Sequence, residues 1–228
     1  MKKIIFDAGP IISLSMNNLL WILDSLKKDF DGEFYVAPGV EYEIVGKPLQ
    51  TKKFKFEALQ AWQFMRKGTL KVYENREIEA LKKKLLELGN HCYKIHGEWL
   101  NIIHPADCET VAAAIVSEAD VMVMDEITTR LMIENPYALE EIFERKFHSD
   151  VKLNDKNIKE FLNLTKGVKI IRSFELVTIA FEKGFLDKYK PDIKDANKIL
   201  LQAVLWGVKL NGCSVTRKEI DTVIREER

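Results

Sequence analysis

The sequence predicts an α/β protein, a parallel sheet sandwiched between helices, and three observations carry that expectation. Ile4-Ile5-Phe6 is a short apolar run, followed by Asp7-Ala8-Gly9-Pro10 and then by apolar residues at helical spacing from Ile11 to Leu26. The same order of strand, turn and helix returns at Phe34-Tyr35-Val36-Ala37, Pro38-Gly39 and a helix that starts near Val40. It returns again, altered, where an alanine-rich helix from about Asp107 to Glu118 leads into Val121-Met122-Val123-Met124 and ends at Asp125. Units of this kind build a parallel sheet with helices on both faces.

The remaining elements follow from local signals. Between Gly46 and His104 strand signals are few and Lys, Glu and Leu abundant; apolar residues from Ile78 to Leu88 recur every three or four positions, so inserted helices are expected. Val168-Lys169-Ile170-Ile171 reads as a further strand, followed by Ser173 as N-cap of a helix ending near Gly184. Residues 196–209 form an apolar helix around Trp206, and Thr216 with Glu219 makes a capping box that opens a last helix to the C-terminus. The expected organisation is one domain over residues 1–186, with helical insertions at about 47–104 and 136–165, and a helical C-terminal extension, 187–228, packed on it.

Bulk composition narrows the function. The chain has 228 residues, 46% of them hydrophobic, enough for a sizeable core. Lys+Arg and Asp+Glu both number 35, which excludes a protein that coats nucleic acid through global positive charge; any such contact is a local patch. Cys92, Cys108 and Cys213 are odd in number and widely spaced, which argues against a disulfide framework and for a reducing compartment. Asp7 interrupts the apolar start before it reads as a signal peptide, and no apolar run approaches the ~18 residues of a membrane span. A cytoplasmic protein with no membrane partner is expected.

The chemistry is expected from geometry. In an open α/β sheet ligands bind beyond the carboxyl ends of the strands. Asp7 directly follows the first strand and Glu43 falls in the first turn of the helix after the second. Asp107 opens a helix that carries the chain away, and the following strand returns it to Asp125, so all four acids belong at one edge. Asp7 and Asp107 taken alone have an ordinary reading as helix caps, whereas Asp125, at a strand end and followed by Glu126, is less easily read so. Together their charges repel, and a divalent cation removes the conflict; carboxylates suit hard Mg²⁺ or Mn²⁺ rather than Zn²⁺. An ion so held activates water and neutralises charge on a phosphodiester, the chemistry of nucleic-acid hydrolysis.

These motifs resemble the PIN domain family. Ile4 to Leu14, with Asp7 closing the strand, is similar to the family's opening; Val40-Glu41-Tyr42-Glu43-Ile44 resembles its second acidic motif, with Glu43 favoured over Glu41. Asp107-Cys108-Glu109-Thr110-Val111 followed by alanines resembles the third, and Val121 to Glu126 with Arg130 the fourth, where a second acid and an arginine follow. The resemblance implies a parallel sheet between helices and a Mg²⁺- or Mn²⁺-dependent endoribonuclease. Many members are toxins, so RNA, an antitoxin protein and a homodimer are the implied partners. On this reading Asp7, Asp107 and Asp125 hold one or two ions, Glu43 orients the attacking water or a second ion, and Ser13, Arg130 and Ser173 contact the substrate backbone. The rival is a catalytically silent PIN-like module that binds protein or RNA.

Other signals are weaker. His91, Cys92, His96 and His104 match no common zinc spacing. A phosphate-cradling glycine loop is absent, and Gly9 stands where a dehalogenase-like phosphatase would carry its second Asp. From Lys47 to Lys71, seven Lys and Arg residues face Glu57 alone, with Phe54, Phe56, Trp62 and Phe64 interleaved. That pattern fits either base stacking beside phosphate contacts or, as the expectation here, an amphipathic helix with its aromatic face buried.

Overall fold

The expected alternation organises a five-stranded parallel sheet in the computed structural model, which describes residues 1–226; positions 227–228 of the C-terminal extension lie outside the described residues. The strands are β1 (Lys2–Phe6), β2 (Gly32–Val36), β3 (Leu70–Val72), β4 (Tyr93–Ile95), β5 (Glu98–Trp99), β6 (Val121–Val123), β7 (Lys152–Leu153) and β8 (Ile170–Ile171). The main sheet runs β3-β2-β1-β6-β8, every pair parallel. Ile5, Phe6, Phe34, Val36, Met122 and Val123 are fully or almost fully buried, as strands covered on both faces require.

The first helical stretch is two helices rather than the single one expected over Ile11 to Leu26: α1 (Ala8–Met16) and α2 (Ile22–Phe30). The break has a local cause. Asn17 Nδ2 donates to the Ser13 carbonyl at 2.7 Å, and Asn18 takes φ 54°, a left-handed turn that asparagine tolerates. After β2 come α3 (Pro38–Glu41), a π-helical turn (Tyr42–Gly46) and the short α4 (Lys47–Leu49). α5 (Lys55–Arg66) then returns to β3.

The segment from Gly46 to His104 is therefore more than inserted helices. β3 forms an edge of the main sheet, and three residues are too few for a period of two to show in sequence. After α6 (Glu77–Gly89), β4 and β5 form a hairpin that β7, from the second insertion, extends into an antiparallel sheet. Buried Tyr93 fastens the two insertions by donating its hydroxyl to the Pro136 carbonyl at 2.6 Å.

The chain then enters α7 (Pro105–Val116) and, after β6, α8 (Ile127–Glu134), α9 (Ala138–Phe147) and α10 (Asp155–Leu164). α11 (Ser173–Glu182) begins one residue before expectation: Ser173 is its first helical residue, and Glu175 reaches back to the amide of the capping residue Arg172 at 2.7 Å. The C-terminal part consists of α12 (Ala196–Leu210) and α13 (Arg217–Glu226). Here the Thr216–Glu219 box forms as expected, with bonds of 2.7 and 3.2 Å in the two directions. One hydrophobic core includes Ile5 and Phe34 of the sheet, Tyr93 and Phe161 of the insertions, and Leu205 and Ile220 of the last helices. Among the described residues no helix is long and apolar enough to cross a membrane.

Asn90 sets the path into α7. Its Oδ1 accepts from the amides of Ile102 and Ile103 at 2.7 and 3.0 Å, and its Nδ2 donates to the Ile103 carbonyl at 3.1 Å. Asn90→Ala orphans both amides, and urea unfolding is expected to show a loss of about 2–3 kcal/mol. A loss under about 0.5 kcal/mol would mean water replaces the amide there.

Candidate active site

The strand order reverses at β1: the chain lays down β2 and β3 on one side, then crosses to β6 and β8 on the other. The crevice beyond the carboxyl ends of β1 and β6 is the place where an open α/β sheet binds its ligand. Asp7 stands there, its amide donating to the Val123 carbonyl at 2.9 Å and its Oδ2 accepting from the Gly9 amide at 3.3 Å as the N-cap of α1. Thr110 Oγ1, one turn into α7, lies 3.1 Å from Asp7 Oδ1. Burial pushes the Asp7 carboxyl up to about 6; the amides of Gly9 and Ala8 and the Thr110 hydroxyl oppose the rise, and the charge of Glu43 adds to it.

Asp107 lies in the first turn of α7, with the His104 amide 3.4 Å from its Oδ2. Burial, followed by the charges of Asp7 and Glu126, pushes its carboxyl up to about 7, and Glu43 contributes a further rise. Glu43 itself is exposed on the π-helical turn, an irregularity frequent at functional sites. Three of the four expected acids thus share one electrostatic environment.

Asp125 reaches the same edge but turns its carboxylate elsewhere. A Cβ placed on Gly9 would lie 3.6 Å from both Asp125 Cβ and Asp7 Oδ2, so the two acids flank one glycine. Yet Asp125 Oδ1 accepts from the Ser173 amide at 2.8 Å and Oδ2 from the Ser173 hydroxyl at 2.7 Å. Burial raises its carboxyl, and the hydroxyl and amide of Ser173 oppose the rise. Another charge felt by Asp107 is Glu126, which caps α8 through the amides of Thr128 and Thr129 at 2.8 and 2.5 Å. Its signal in the sequence is its position immediately after the strand-ending acid.

The three expected substrate contacts are placed differently. Ser13 is fully buried, 3.4 Å from the Val208 carbonyl of α12, and Ser173 is fully buried against Asp125. Neither hydroxyl faces solvent. Arg130 pairs with Glu134 one helical turn on at 2.9 Å, and its half-buried side chain leaves Nε without a hydrogen-bond partner.

Glu109, two residues after Asp107, is a positioning residue. Its Oε1 accepts from the Gly39 amide at 2.7 Å and its Oε2 pairs with Lys82 at 2.7 Å, which ties α3 and α6 to α7. A Cβ on Gly39 would lie 2.8 Å from Glu109 Oε2, so the tie needs glycine there. This sets α3, which leads directly into the π-helical turn that carries Glu43, against the helix that carries Asp107.

Among the described residues none of Asp7, Glu43, Asp107, Asp125 and Glu126 is in a salt bridge, and no three His, Cys, Asp or Glu side chains converge closely enough to hold a metal ion. The basic stretch beside the site departs from the expected buried aromatic face. Phe64 is buried, but Phe56 and Trp62 are 69% and 45% exposed. Compared with known proteins, the chain matches no family model, no curated protein and no solved structure.

Asp7 yields a pH test. An unfolded aspartate ionises near 3.8, whereas the folded one holds its proton to about 6, so with metal removed the fold loses stability as pH rises from 4 through 6. Over that window wild type should lose up to about 3 kcal/mol relative to Asp7→Asn, whose amide does not titrate. Parallel stability curves for the two proteins in chelator, read by urea unfolding from pH 4 to 7, would contradict the buried-acid geometry.

Proposed function

We propose that this chain is a PIN-like, divalent-metal-dependent endoribonuclease that hydrolyses phosphodiester bonds of single-stranded RNA. One observation carries the reading: buried Asp7 and half-buried Asp107 stand at the switch point of a parallel sheet with no salt-bridge partner among the described residues, and the charge of Asp7 raises the affinity of Asp107 for its proton. Perturbed acids gathered in such a crevice are the pattern of a functional site. The charged groups gathered at this edge are carboxylates, and Mg²⁺ or Mn²⁺ is the cation that suits them.

Asp7 and Asp107 would hold the ion, with Thr110 and the Gly9 amide fixing the rotamer of Asp7 and the His104 amide that of Asp107. Such an ion supplies a water of lowered pKa and a positive charge against the phosphoryl oxygens. Glu43, exposed at the mouth, accepts a hydrogen bond from the attacking water and orients it. Glu126 adds negative charge that draws the cation in. Asp125 is assigned to the scaffold, where it holds the first residue of α11.

The second reading, a catalytically silent module that binds RNA or a protein such as an antitoxin, draws on the absence of three convergent metal-binding side chains among the described residues. Cleavage of a labelled single-stranded RNA separates the two. Wild type should cut with Mn²⁺ and stop with chelator, and Asp7→Asn and Asp107→Asn should each lower the rate by at least about 100-fold while keeping the fold. Asp125→Asn should instead lose stability by about 1–3 kcal/mol, because Ser173 loses a charged acceptor. Cutting that survives chelator, or an undiminished rate in Asp7→Asn, would falsify the metal mechanism.

A further inference from the structure

A cavity of about 350 Å³ opens beside Glu43, between α1, the π-helical turn and α5. Its floor is aliphatic, from Ile11, Ile12 and Ile44; Phe54 forms one wall, and Lys47 and Lys53 stand at the rim. Glu43 lines this cavity, and its charge also raises the carboxyls of Asp7 and Asp107, so the cavity and the acid edge share one residue. We infer that the cavity is a subsite for one unpaired nucleobase of the strand being cut, with the flanking phosphates on Lys47 and Lys53. The inference rests on the nuclease reading above and deepens it.

The volume sits at the small end of the ~300–1,000 Å³ of ligand pockets, enough for a ring system but not for a long acyl chain. The occupant is therefore compact and apolar; Lys47 and Lys53 offer positive charge where it leaves the cavity, and Glu43 and Glu57 also line it. A base on a sugar-phosphate backbone meets each condition. Lys52 and Lys55, both exposed, extend the positive track beyond the rim.

Phe54 supplies an independent observation. Its backbone stands at φ 59°, a left-handed conformation that a bulky aromatic residue rarely adopts and that glycine or asparagine takes readily. It caps α5 with no side-chain hydrogen bond, so helix termination does not call for an aromatic there. Strain retained at such a position points to the ring's use, and a half-buried ring on the cavity wall offers a base its face. Lys53 Nζ lies 4.6 Å from the centroid of that ring, which holds the cation at the rim.

The test uses the full chain in chelator, which blocks cutting, and a 5′-labelled single-stranded RNA octamer followed by fluorescence anisotropy. Octamers carrying one abasic ribose at each position in turn should bind about tenfold more weakly at one or two adjacent positions and nearly normally elsewhere. Phe54→Gly should bind the intact octamer about tenfold more weakly and flatten that scan. Its melting temperature should equal or exceed that of wild type, since glycine takes the left-handed backbone freely, which removes misfolding as an explanation. The double variant Lys47→Ala/Lys53→Ala should reduce the salt slope of binding by about 1.4. A flat abasic scan in wild type, or an unchanged Kd in Phe54→Gly, overturns the subsite. Cutting of the same octamer with Mn²⁺ is read separately. A flat scan with cutting intact removes the subsite alone, a position-dependent scan without cutting removes the nuclease alone, and an octamer neither bound nor cut removes both.

Discussion

Burial of β1 between β2 and β6 constrains everything at the carboxyl edge of this protein. Ile5 and Phe6 have no exposed face, and both edges of the strand are paired, so the first position at which the chain can become polar is Asp7. An acid there satisfies the amides at the start of α1, but the strands and helices that bury β1 also take its carboxylate out of water. Desolvation disfavours charge by more than the neighbouring amides restore, and the acid is left holding its proton more tightly than usual.

The buried acids of this fold divide by how that problem is met. Glu109 is neutralised by Lys82 and by the Gly39 amide, and its role is to hold α3 and α6 against α7. Asp125 is met by two donors from Ser173, and its role is to dock α11. Asp7 and half-buried Asp107 receive weaker compensation, and the charge of Asp7 raises the carboxyl of Asp107. A fold selected for stability alone has no reason to keep two such groups together, since replacing one relieves repulsion. Their closeness is the cost that the proposed cation would offset.

The segment after β2 gives that edge a second character. The π-helical turn, α4 and the N-terminus of α5 bring lysines, an apolar cavity and a strained phenylalanine to the side of Glu43. On the opposite face of α5, Phe56 and Trp62 stand exposed among Lys55 and Arg66, with the Arg66 guanidinium 4.9 Å from the Trp62 ring. Net charge over the whole chain is zero, so attraction for an anion is local, and this segment carries one such patch.

The sequence by itself determined the alternation of strand and helix, because apolar period and turn residues are local, and with it the arrival of Asp7, Glu43, Asp107 and Asp125 at one sheet edge. It also determined the Thr216–Glu219 cap, whose partners lie three residues apart. Tertiary structure decided what distance along the chain conceals. β3 exists only because β2 offers it an edge, and the β4–β5 hairpin meets β7 across more than fifty intervening residues. The direction of each side chain was likewise beyond local pattern: Asp125 turns to Ser173, Ser13 packs beneath α12, and Glu126 adds its charge to those felt by Asp107. Chain direction follows from backbone periodicity, but a carboxylate points toward whichever donors the completed packing brings within reach, and those come from elements remote in sequence.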